Sequence, residues 1–488
     1  MTGEDGDDGS VIRRGRFSGG PARGFMSSLA ADERIFDADL AVDRAHVVML
    51  ASQGIIESEV AGDILAALDD VEAAGHDELS GGEDVHEAIE AAVIDIVGTD
   101  GGKMHTARSR NDEVATCLRY RLREDVLETL DAALALRESL IETASKHTET
   151  VMPGYTHLQP AQPTTVAHFL LSYERAVARD CARLMCAYDR INESPLGSAA
   201  FAGTPFDINR ELVAELLGFD RVMENSMDAS ATRDFLAETL SALATHAITL
   251  SGLAEDLIIF SNKGFVELSD DYSSTSSIMP QKKNPDTMEL VRAVAGDAVG
   301  ELTGLMTTLK GLPRAYNRDL QRAHTHVFRA VDDVSEATAV AAGAVASATW
   351  PEDALADAAG DGFSTATGVA DLLAMAGLPF RTAHEVVAEA AAQSTGTPDV
   401  ATLDAVATDV LGESLFTHVT EAAVEAALDP TESVASRDSL GGPAPTAVES
   451  TLSTANDELS LDSAAVADAR DSLSAAAESL EEEVSEYV

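Results

Sequence analysis

Apolar residues recur at spacings of three and four along this chain over stretches much longer than an ordinary helix, and this constrains the fold more than any other feature. Val166, Leu170, Tyr173, Val177, Cys181, Leu184, Tyr188 and Ile191 form one such stripe, and Leu236, Leu240, Leu243, Ala247, Leu250, Ala254 and Leu257 form another. Leu118, Leu122, Val126, Leu130 and Leu134 mark a third within residues 113–148, and 291–310 carries a fourth, rich in small residues that permit close helix approach. A one-sided helix of such length buries its stripe only by lying along others, and strand signals are scarce by comparison. The pattern predicts an all-α chain of three domains: shorter helices in 1–110, separated by Gly-rich turns such as GGED and TDGGK; a bundle of long helices in 111–355; and a helical region in 356–488. In the last region SLGGPAP breaks the pattern ahead of a final helix carrying Val466, Leu473, Leu480, Val484 and Tyr487.

The bundle pattern is broken by four polar segments, each just ahead of a helix: MHTARSRND (104–112), GYTHLQPAQPTT (154–165), ENSMDASATRD (224–234) and SSTSSIMPQKKNPDTMEL (273–290). In the last, Asn284 is a good N-cap and Pro285 fits the first helical position. Helix N-termini present free N–H groups that suit an anionic ligand, although ordinary capping explains any one segment taken alone. Charge shifts the balance. The chain has 84 acidic against 33 basic residues, a formal net charge of −51, and its lysines are Lys103, Lys146, Lys263, Lys282, Lys283 and Lys310. Arg110, His157, Arg233, Lys282 and Lys283 nevertheless all fall in these helix starts, which points to a substrate carrying several carboxylates.

The same net charge argues against nucleic acid and anionic membrane as partners, because both would be repelled before contact. Carboxylates run through the whole length, with lysine almost absent, as expected of a surface adapted to a very salty cytoplasm. Cys117, Cys181 and Cys186 are odd in number, without ligand spacing and within helical patterns, which predicts free thiols in a reducing compartment. No apolar signal region opens the chain and no apolar run approaches membrane-spanning length. The expectation is a soluble, cytoplasmic protein.

SSIMPQKKNP (276–285) resembles the signature of the fumarase/aspartase superfamily, whose members eliminate fumarate from succinyl compounds. Within it, GGKMHTARSRNDEVAT (101–116), PGYTHLQPAQPTT (153–165), SPLGSAAFAGTPF (194–206), GLPRAYNRDLQ (311–321) and GGPAP (441–445) resemble the argininosuccinate lyases in particular, with matches from GRF at Gly15 onward. The final forty or so residues carry no assignable motif. The resemblance implies a homotetramer with a shared central helix bundle and active sites assembled from three subunits. It implies cleavage of argininosuccinate to arginine and fumarate, the last step of arginine biosynthesis, without metal or organic cofactor.

Such an elimination needs a base for a weakly acidic C–H, donors for the charge that develops on a carboxylate, and an acid for the departing nitrogen. By resemblance Ser276 is the base, Lys282 supports the charge, and His157 is the acid or its partner. Ser109, Arg110 and Asn111 match carboxylate contacts, with Ser28, Thr156 and Arg233 nearby. Asn284 matches a substrate-contacting asparagine, and Tyr316 and Gln321 match residues that hold the arginine side. Lys283 has no such counterpart, and His86 matches a histidine near the site whose role is open. Two positions depart from the pattern. Thr275 replaces a glycine, and its β-branch is expected to restrict the loop. His324 stands where a lysine is usual, so recognition of the amino-acid carboxylate is expected to be weaker or pH-dependent.

Overall fold

The computed structural model describes residues 20–79 and 82–488; the GRF motif and Gly81 of GGED lie outside these. Among the described residues, the core of the fold is built from the helices Arg110–Lys146, Val166–Ile191, Asp234–Lys263, Asp286–Leu309 and His324–Ser347. The 234–263 helix packs on 166–191, 286–309 and 324–347, while 110–146 packs on 166–191 and 324–347. The stripes explain the arrangement. On 166–191 every predicted apolar position is buried except Tyr173, which is half-buried, and each fully buried Leu or Val contributes roughly 1.5–3 kcal/mol. The helix start is set by Thr165, whose side chain accepts from the His168 amide, and the 234–263 helix is ended by Gly264 in the left-handed conformation at φ 75°.

Three details differ from the sequence reading. Residues 151–165 are an antiparallel hairpin, Val151–Thr156 paired with Gln159–Thr165, rather than a plain lead-in to a helix. Asn284 does not cap the next helix: it lies in a two-residue strand, Lys283–Asn284, paired with Ser274–Thr275, and Pro285 takes the cap position. Thr275 is thus a strand residue, where a β-branched side chain is at home. The third concerns the 234–263 helix, which is long and apolar enough to cross a membrane by length and composition. Its buried residues, among them Leu236, Leu243, Leu250 and Leu257, face the bundle, and buried His246 meets Asp180 and Thr338 there.

Helices Phe36–Ser52, Ser58–Ala74 and Val85–Val97 pack on one another, and the first of them lies against the 110–146 helix, sharing its hydrophobic core. Residues 363–424 enclose a separate apolar cluster centred on Val369, Leu373, Val386 and Leu403. From GGPAP the chain enters a 41-residue helix, Pro445–Ser485, that runs back along 110–146 and 166–191. This gives the unassigned final residues a structural role. Buried Arg137 bridges Glu174 at 2.9 Å and Asp462 at 2.5 Å. At the far end Gly62 leaves no room for a Cβ against the Tyr487 carbonyl.

Candidate active site

A cavity of about 140 Å³ opens where the 110–146 helix begins. Ser28, Arg110, Asn111, Arg233, Tyr316 and Gln321 line it, together with Asp32, Asp84, His86, Arg318 and His324. Six of the twelve residues singled out in the sequence thus meet in one place. Ser109 stands at its edge as the helix cap, in a reciprocal capping box with Asp112.

Most cavity cations already have acidic partners. Arg110 lies 3.2 Å from Asp84 and 3.5 Å from Glu87, and Arg318 pairs with buried Glu83. Arg318 and Gln321 also donate to the Met26 carbonyl at 3.3 and 2.9 Å, which fastens the segment leading to Ser28. Ser28 in turn donates to Asp32 at 2.7 Å. Arg233 differs. It is buried, its guanidinium donates to the Thr232 carbonyl at 2.7 Å, and among the described residues its Nε finds no partner. Burial draws its pKa down to about 10, so it remains a cation at neutral pH. An unpaired buried charge costs several kcal/mol, and a carboxylate entering the cavity would offset that cost.

Behind the cavity lies an ionic cluster that sequence reading missed. Arg108 pairs with Asp43 and, at 3.0 Å, with Glu113, while His86 Nδ1 lies 2.8 Å from Asp39. Burial opposes charge on His86, but Asp39 and Glu113 outweigh it and hold its pKa up at about 10. Burial likewise pushes Asp43 up to about 7 despite Arg108, and Glu113 well above the carboxylate range. Three carboxylates, Asp39, Asp43 and Glu113, thus face two cations, Arg108 and His86. Asp39, His86 and Cys117, or Asp39, Asp43 and Glu113, bring three possible metal-ligand atoms within 4.8 Å of one another. Arg108 and charged His86 already supply cations to these carboxylates, so the cluster reads as a structural support for the cavity wall. A dispersed signal existed: Asp39, Asp43 and His46 share one helix at spacings of four and three.

His324 occupies the cavity, but not as a titrating carboxylate receptor. Burial, then the charges of Arg233 and His86, push its pKa down to about 4. Its folded value lies below the usual 6.5, so this residue's contribution to stability is present above pH 6.5 and is lost as pH falls through about 4. Between pH 6 and 9 the KM profiles of the wild type and His324→Gln should therefore have the same shape; a step near pH 6.5 present only in the wild type would overturn this.

Ser276, Lys282, Asn284, Thr156 and His157 do not line this cavity. Ser276 begins the exposed loop between strands 274–275 and 283–284, and its Oγ accepts from the Ile278 and Met279 amides at 3.4 and 3.1 Å. Lys282 donates to Asn284 Oδ1, while Lys283 pairs with Asp270 at 2.7 Å. His157 and Leu158 form the hairpin turn with φ of 56° and 58°, a left-handed pair that usually calls for Asn-Gly. Both side chains are exposed. One chain therefore carries the cavity lined by Arg110 and Arg233 on one part of its surface and serine, lysine and histidine on two exposed loops.

The family model described as lyase matches residues 23–300, and that of the argininosuccinate lyase C-terminal region matches 363–435. The chain is 66% identical to argininosuccinate lyase of Haloarcula marismortui, covering 99% of this chain and 98% of that one. It is 68% identical to that of Natronomonas pharaonis, covering 100% and 99%. Among solved structures, EDDS lyase in complex with formate superposes with a TM-score of 0.86 at 32% identity, covering 96% and 97%. The class II fumarase of Schistosoma mansoni shares the fold, with a TM-score of 0.69 at 16% identity and coverage of 82% and 90%.

Proposed function

The chain belongs to the argininosuccinate lyase family of the fumarase/aspartase superfamily, and from that premise we propose that it splits argininosuccinate into arginine and fumarate as the last step of arginine biosynthesis, in the cytoplasm. Ser276 Oγ takes a proton from the succinyl methylene. The electron pair left on carbon delocalises into the adjacent carboxylate, facing Lys282, then forms the C=C bond of fumarate as the C–N bond breaks. The departing guanidino nitrogen gains a proton from His157 or a group that His157 supports. Buried Arg233, whose Nε has no partner among the described residues, carries this reading, because a carboxylate entering the cavity would meet that cation.

The working unit in this proposal is a homotetramer, in which the 276–282 and 157–158 loops of neighbouring copies cover the cavity. Val299 and Met306 of the 286–309 helix, seven residues apart and so on one side of it, are exposed at 42% and 55%, an apolar strip suited to a second copy. The groove between 286–309 and 324–347 sets Leu290 and Val294 beside Asp297, Asp333 and Glu336. Bringing such faces together gathers carboxylates, on top of a net charge of −51 per chain. At about 0.01 M salt the screening length grows to roughly 30 Å, so the assembly should loosen on dilution of salt. Fumarate absorbance and light scattering followed along one salt series, starting in concentrated salt, test both points. Fumarate should form in high salt, and activity should fall together with particle mass. No fumarate from argininosuccinate at any salt would overturn the substrate, and a fully active tetramer in dilute buffer would overturn the coupling.

A further inference from the structure

The segment SPLGSAAFAGTPF (194–206) lies against the helix start that carries Arg110 and Asn111. We infer that Asp112 is a positioning residue whose buried carboxylate binds the 195–203 loop to this cavity wall as one unit. Its Oδ2 accepts from the Gly197 and Ala199 amides at 3.0 and 2.7 Å, and its Oδ1 accepts from the Ser109 amide at 3.0 Å. One carboxylate thus holds both the cap of the 110–146 helix and the loop, and it is fully buried. Such charge-assisted bonds are the strong ones, and leaving the loop amides without an acceptor inside the protein is costly.

The opposite side of the loop is held by the complementary charge. Arg210 donates to the carbonyls of Leu196 and Pro195 at 2.7 and 3.3 Å and to Ser198 Oγ at 3.2 Å. Amides go to the acid and carbonyls to the guanidinium, so the loop is fixed from both sides. That grip matches its backbone: Gly197 and Ala199 are left-handed at φ 87° and 50°, a conformation an alanine adopts only when its surroundings impose it. The consequence for the cavity passes through Asn111, whose Nδ2 donates to the Ala200 carbonyl at 3.0 Å. With the nitrogen so engaged, Asn111 has its Oδ1 left to offer a ligand, as an acceptor. The loop therefore sets which end of this amide meets the substrate.

The inference rests on the lyase reading, and the test separates the two. Asp112→Asn keeps the shape but places an NH2 group among donors. Hydrogen exchange at Gly197 and Ala199, corrected for intrinsic rates, should show protected amides in the wild type and lost protection in the variant, whatever the substrate. Kinetically, KM for argininosuccinate should rise about tenfold while kcat changes much less. Arg210→Gln frees the loop from the far side, leaves the helix cap intact, and should reproduce the KM rise; it also serves if Asp112→Asn does not fold. Unchanged protection in Asp112→Asn, or lost protection with wild-type KM in either variant, overturns the inference. A wild type that yields no fumarate overturns the lyase reading instead, and the exchange measurement still decides whether Asp112 holds the loop.

Discussion

Replacing Ser276 by alanine should slow fumarate release by on the order of a thousandfold or more while leaving assembly and argininosuccinate binding largely intact. An ordinary serine hydroxyl is far too weak an acid to act as a base near neutral pH, so its surroundings have to favour the anion. The structure supplies part of this: Ser276 Oγ already accepts from the backbone amides of Ile278 and Met279. Two N–H groups aimed at one oxygen stabilise negative charge on it. The Ser276 amide donates to the Lys282 carbonyl at 2.9 Å, which closes the loop and ties the two residues into one unit. Single-turnover kinetics with a parallel binding measurement are the check. A folded Ser276→Ala protein with near-normal turnover would remove the assignment.

The adjacent lysines should behave very differently. Lys283 is committed to Asp270 in a largely exposed ion pair that solvent screens. Lys282 contacts neutral Asn284 and keeps its charge available. Lys282→Met should therefore cost on the order of a hundredfold or more in kcat, since a charge facing the developing carboxylate acts mainly in the transition state. Lys283→Met should cost no more than a few-fold. Equal losses in steady-state kinetics would mean that the loop needs net charge rather than one placed ammonium.

The long helices were legible because burial of one stripe dominates everything else along them. Val166–Ile191 could be read to the residue for that reason. The 151–165 hairpin was hidden: Pro153, Pro160 and Pro163 argue against a ladder, and its turn is His-Leu where glycine would have signalled a reversal. Eight of the eleven polar residues lining the cavity could be named in the sequence, but Asp32, Asp84 and Arg318 reach it from segments nearly 300 residues apart, and no local pattern records that meeting. Burial also decides the state of His324, and burial is invisible in a string of letters. Sequence suggested a pH-sensitive residue there, whereas its environment keeps it neutral.

The His157–Leu158 turn has an implication for engineering. Two bulky residues held in left-handed backbone cost about 1–3 kcal/mol each. Asn-Gly at these positions would relieve that cost, so any procedure that ranks variants by thermal resistance or by fit to the backbone would favour the exchange. It would also delete the imidazole. Under the proposed mechanism an optimised, longer-lived protein obtained this way would be an inert one, and residues 157 and 158 should be held fixed before any such optimisation begins.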